Sequence, residues 1–173
     1  MTKTIDFANL TLRDALDLAI LVEEEAMERY EEFVDQMELH HSPEPAEFFR
    51  VMVFNEAKHR DQLLARRRAL FADEDCHMTR SMLWDVEAPD YDSARAFMSA
   101  RQAMEVALQC EIKAHDYFDQ ALKHISDTDV RVLFEELREE EVEHQEMVKK
   151  AMAKLPPDSG IRPDDYEDEP VAH

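Results

Sequence analysis

Residues 14–30 read DALDLAILVEEEAMERY and residues 102–118 read QAMEVALQCEIKAHDYF, and an offset of 88 lays one over the other. The overlay pairs Ala15 with Ala103, Ala19 with Ala107, Glu23 with Glu111, Ala26 with Ala114 and Tyr30 with Phe118. An offset of 85 does the same for a second stretch, pairing Phe49 with Phe134, Glu56 with Glu141 and His59 with His144. EAKH at 56–59 and EVEH at 141–144 are thus one motif placed twice, a glutamate three residues before a histidine. Two helical segments repeated in the same order make a duplicated helical hairpin, and two hairpins make an all-α four-helix bundle.

Composition agrees. The 173 residues include a single Gly, against a large stock of Ala, Leu, Met, Glu, Lys, Arg and Gln, the residues that lose least freedom in a helix. The length suits one domain with a core that needs no disulfide. Cys76 and Cys110 form no CxxC pair, so neither a thiolate iron site nor a zinc ribbon is encoded. The net charge of -21, from 20 basic and 41 acidic residues, disfavours nucleic acid and anionic membrane, which need Lys and Arg to displace counterions. Cations suit it as small partners. No apolar run is long enough to span a bilayer, and MTKTIDFANL lacks the apolar middle of a secretory signal, so the expected location is the cytoplasm.

The helix boundaries follow from caps and prolines. Thr11 with Asp14 starts a helix expected over 11–39, and Ser42 before Pro43 starts a second over 43–71. The few residues between them make the two antiparallel neighbours. Residues 72–90 lack periodicity and are long enough to cross the length of a bundle. A third helix is expected over 91–124, and Ser126 with Asp129 caps a fourth over 127–154, before Pro156 and Pro157. The expected bundle therefore occupies 1–155. The acidic residues 156–173, with the only Gly and almost no apolar content, read as a disordered solubilising tail.

On a helical wheel, Leu16, Ala19, Met27, Tyr30, Val34 and Met37 fall within about 40° of Glu23, while Glu24, Glu25, Glu28 and Glu32 lie at about 100° or more. Glu23 therefore sits in the apolar stripe. Glu111 lies likewise among Met104, Ala107, Phe118 and Leu122, Glu56 with Phe49, Met52 and Leu63, and Glu141 with Phe134, Leu137 and Val148. His59 and His144 follow one turn along the same faces. A lone inward histidine or glutamate is usually a packed, hydrogen-bonded residue. Four together are different, because an unpaired buried charge costs at least several kcal/mol and a whole domain is stable by roughly 5–15 kcal/mol. Arg60, Arg67 and Arg138 lie near these faces but not at all four glutamates. Two divalent cations would balance four carboxylates and two neutral imidazoles. Such ligands suit iron or manganese, and the lack of thiolates argues against structural zinc.

With one Glu on each of two helices and Glu-x-x-His on the other two, the sequence resembles the ferritin-like superfamily, and within it the rubrerythrin-type proteins. The resemblance covers about 11–154 and rests on Glu23-x-x-Ala26-x-x-x-Tyr30, its partner Glu111-x-x-Ala114-x-x-x-Phe118, and the two ExxH motifs. It implies two iron ions per chain, or manganese, held by Glu23, Glu56, His59, Glu111, Glu141 and His144. Glu56 and Glu141 would bridge the metals, and His59 and His144 would each bind one. It further implies reaction of a diferrous centre with dioxygen or hydrogen peroxide, the four glutamates acting as the catalytic carboxylates, and a homodimer.

Two departures stand out. Rubrerythrins usually carry a rubredoxin-like domain, for which this chain has no cysteines, so peroxide turnover would draw electrons from a separate donor protein. The family also carries an extra glutamate one turn after the third-helix ligand, where this chain has Ala114. His115 reads either as a group beside the ligands or as packing, and Tyr30 either as a hydrogen-bond donor to a ligand carboxylate or as packing. Two other functions share the ligand set: a metal-binding protein without turnover, and an iron-storage subunit.

Overall fold

The computed structural model describes residues 5–83 and 99–156. Four long helices carry the fold: α1 (Leu12–Leu39), α2 (Pro43–Phe71), α3 (Ala100–Leu122) and α4 (Thr128–Met152), with short 3-10 turns at Phe7–Asn9 and Arg80–Met82. There is no strand among the described residues. The architecture is the expected all-α bundle of two packed hairpins, α1 with α2 and α3 with α4.

The helix starts show which local signals decided. Thr11 caps α1 as expected, its hydroxyl accepting from the Asp14 amide. α2 begins at Pro43, but Ser42 makes no side-chain cap bond. The α4 cap is Asp127 rather than Ser126: its carboxylate accepts from the amides of Asp129 and Val130, while Ser126 Oγ donates to the Ala8 carbonyl. A carboxylate there also complements the positive end of the helix dipole. α3 is described from Ala100 rather than from about residue 91. Ser99 and Gln102 form a reciprocal capping box that satisfies two end amides and sets that start. The expected helical residues 91–98 and most of the expected tail, 157–173, lie outside the described residues.

The apolar interior forms two clusters stacked along the bundle axis. The first takes Ala15 to Val22 of α1, Leu63 of α2, Phe118 to Leu122 of α3 and Val130 to Leu137 of α4. The second takes Tyr30 to Met37 of α1, Ala46 to Met52 of α2, Ala103 to Ala107 of α3 and Val148 of α4. Each fully buried Phe, Leu or Met contributes about 1.5–3 kcal/mol relative to exposure. α1 and α4 thus run from the first cluster to the second, and α2 and α3 run back. α2 therefore ends at the first cluster and α3 begins at the second, with residues 72–99 between them.

Part of that segment is strapped down. Arg67, buried at the end of α2, donates to Asp17 Oδ1 at 2.8 Å and to the carbonyls of Ala72 and Glu74 at 3.0 and 2.6 Å. Arg13 donates to Glu74, Arg80 donates to both carboxylate oxygens of Glu28, and Leu83 is buried in the first cluster. No helix among the described residues is long and apolar enough to cross a membrane.

Candidate metal centre

Between the two clusters each helix contributes one glutamate: Glu23 after Val22, Glu56 after Met52, Glu111 after Ala107, Glu141 after Leu137. All four are buried, and so is His144. His59 is partly exposed. The four glutamates and His144 thus face the interior as their wheel positions predict, while His59 lies at its edge. A carboxylate that interrupts an apolar stripe at the same level of all four helices makes a polar layer across the bundle.

The six side chains are contiguous. Ligand atoms of Glu56, His59 and His144 lie within 4.8 Å of one another, as do those of Glu111, Glu141 and His144, and those of Glu23, His59 and Glu140. The two imidazole rings stack with centroids 5.3 Å apart and planes 11° from parallel. His144 Nδ1 is 3.3 Å from Glu56 Oε1 and 3.4 Å from Glu111 Oε2. His59 Nδ1 is 3.8 Å from Glu23 Oε2 and 3.9 Å from Glu140 Oε2. Glu140 was not anticipated from the sequence.

Their electrostatics differ. Burial works against a charge on His144, yet the hydrogen bond to Glu111 and the negative fields of Glu56, Glu111 and Glu140 lift its pKa to about 9. Burial, reinforced by the charge of His144, lowers His59 to about 4. Burial pushes the Glu56 carboxyl up, against the pull of His144, Glu23 and Arg29. Burial also raises Glu140.

The neighbouring groups resolve several alternatives. The Tyr30 hydroxyl donates to Glu111 Oε1, so Tyr30 is both packed and a hydrogen-bond partner of an inward carboxylate. His115 pairs with Asp116 through Nδ1 at 3.1 Å and lies outside the three ligand groups. The nearby arginines bond elsewhere: Arg60 to Asp61 and Met27, Arg67 to Asp17, Arg138 to Asp119. The positive field acting on Glu56 comes first from His144 and, less, from Arg29, an arginine the sequence reading overlooked.

The donor set fits a metal. Glu56 Oε1 and His59 Nδ1 are buried with no hydrogen-bond partner, although each is within reach of other donor atoms of the cluster. An unsatisfied buried polar atom costs about 1–3 kcal/mol; Glu56 Oε1 has the charge of His144 at 3.3 Å to offset this, whereas neutral His59 has no such partner, so its Nδ1 points to a species that fills it. Oxygen and imidazole donors without thiolate suit a divalent metal ion of the first transition row. Cys76 and Cys110 are free thiols, one exposed and one buried.

The comparisons with known proteins point the same way. The crystal structure of an uncharacterized conserved protein from Magnetospirillum magnetotacticum MS-1 is similar to this chain, with 31% identity and a TM-score of 0.68 over 85% of this chain and 97% of that one. No protein of curated function matches. The rubrerythrin family model matches residues 14–152, a span that contains α2, α3 and α4, all but the first two residues of α1, and all six inward donors. The chain belongs to the rubrerythrin family.

Proposed function

We propose that this chain is a di-iron protein that oxidises ferrous iron with dioxygen or hydrogen peroxide, as a ferroxidase or a peroxide-detoxifying enzyme. The observation that carries this reading is the contiguous set of four buried carboxylates and two imidazoles between two apolar clusters, with two of its donor atoms lacking any hydrogen-bond partner. Glu23, Glu56, Glu111 and Glu141 would hold two ions through their carboxylates, and His59 and His144 would each supply a nitrogen. Bound iron supplies the electrons that reduce the oxidant.

The protein's own residues set the conditions. The apolar clusters cover the polar layer at both ends along the bundle and shield its buried carboxylates, which strengthens the charge interactions among them. The Tyr30 hydroxyl orients Glu111. His144 Nδ1 holds a proton between Glu56 and Glu111, and a cation bound to those carboxylates takes the place of that proton. His59, at 17% side-chain exposure, is the more open of the two imidazoles and marks the side by which a small oxidant enters.

The proposal extends to a cytoplasmic homodimer, with electrons for peroxide turnover drawn from a separate donor protein. The exposed Phe54 and Val51 of α2 give a second copy an apolar surface to cover. The direct test is anaerobic ferrous loading followed by mixing with dioxygen or peroxide, for the native chain and for Glu56→Ala with Glu141→Ala. Oxidation by the native chain should exceed that of the double variant at least a hundredfold; equal rates would refute the reading. Metal uptake without accelerated oxidation would make this a metal-binding protein instead.

A further inference from the structure

The repeat that supplies the six donors breaks at one position beside them. At the offset of 85 that overlays Glu56 on Glu141 and His59 on His144, Glu140 overlays Asn55. Asn55 Nδ2 donates to Met147 Sδ at 3.8 Å and brings no charge. Glu140 reaches from α4 towards α2, where its Oε2 is 3.9 Å from His59 Nδ1, the same nitrogen that lies 3.8 Å from Glu23 Oε2. That nitrogen has no hydrogen-bond partner, and neither has Glu56 Oε1, on a side chain only 3% exposed. His59 Nδ1, without a hydrogen bond, therefore sits beside a carboxylate that the other half lacks, and His59 also shares a ligand group with Glu56.

We propose that Glu140 is a seventh metal ligand serving the His59 side alone, so that the two halves of the repeat build unequal metal subsites. This rests on the two-metal reading above. Four carboxylates and two neutral imidazoles balance two divalent cations; Glu140 adds a fifth negative charge and places it at His59. Coulomb attraction rises with cation charge, and an added carboxylate favours hard cations. The His59 subsite is thus the tighter of the two for a divalent ion, and the one whose affinity gains more on going to a trivalent ion. With its side chain 36% exposed, Glu140 stands at the rim of the layer, between solvent and His59.

The test is a cobalt(II) titration of the full chain, followed by calorimetry and checked by elemental analysis, so that no turnover is needed. The native protein should bind in two separable steps. Glu140→Gln, which keeps size and loses charge, should weaken the tighter step at least tenfold and leave the other in place. Glu140→Asp should recover part of the loss, and Glu139→Gln, at an exposed neighbour on the same helix, should titrate like the native chain. Two equal steps in the native protein, or superimposable titrations of Glu140→Gln and native protein, would overturn the seventh-ligand assignment while leaving the two-metal reading intact. No cobalt uptake by the native protein would overturn the two-metal reading itself.

Discussion

His59 and His144 hold the same position in the two halves of the repeat, yet His144 is 6% exposed between two carboxylates, whereas His59 is 17% exposed with no hydrogen bond to Nδ1. The difference extends to their partners. Glu111 receives the hydroxyl of Tyr30, while the repeat equivalent of Tyr30 is Phe118, which has none to give to Glu23. Ligand types follow the duplication, but the groups that surround them do not. A duplicated scaffold can therefore fix which atoms face the layer and still let each half set its own charge and access.

The largest effect expected outside the glutamates comes from equalising the histidines. In chelator-treated protein, His144→Ala removes the positive partner of two buried carboxylates and should cost about 3 kcal/mol of stability. His59, with a pKa of about 4, is uncharged at neutral pH, so its contacts with Glu23 and Glu140 are not ion pairs and His59→Ala should cost about 1 kcal/mol or less. Urea unfolding of both variants measures the gap. Equal losses would mean that the two halves are alike after all.

Tyr30→Phe makes the hydroxyl pattern of α1 match that of α3. It leaves a buried Glu111 oxygen without its donor and should cost about 2 kcal/mol, since hydrogen bonds to charged groups are worth about 1.5–3 kcal/mol. Thermal unfolding of the metal-free protein checks this, and a change below a few tenths of a kcal/mol would reduce Tyr30 to packing.

The smallest effect lies at the helix starts. Asp127 and Ser42 are equivalent at the offset of 85, but only Asp127 caps its helix with its side chain. Asp127→Ala should cost about 1 kcal/mol and Ser42→Ala close to nothing. Chemical denaturation of the two variants side by side distinguishes them.

Much of this was legible in the sequence because it is written in spacing. The four glutamates stand out as charges inside apolar stripes, and a period of 3.6 residues fixes which face they share. The cap of α4 was missed by one residue, because Ser126 and Asp127 are both good capping residues and only the observed first turn chooses between them. Ser99 and Gln102 did carry a capping-box spacing that would have moved the start of α3. Glu140 could not be found this way. It sits about 100° from Glu141 within the run EEE at 139–141, and so reads as part of a solvated face. Only the packing of α4 beside α2 brings it to His59. Long-range pairs of this kind, like Arg67 with Asp17, depend on how helices meet rather than on the pattern of any one helix.

The most direct test of the central claim is the metal content of the purified chain, measured by elemental analysis after anaerobic loading with ferrous iron and removal of excess. About two irons per chain are expected, as a two-metal bundle site requires, falling below one when Glu56 and Glu141 are both replaced by Ala. Iron no higher than trace in the native chain would contradict that claim, and the six inward residues would then have to be balanced by one another alone.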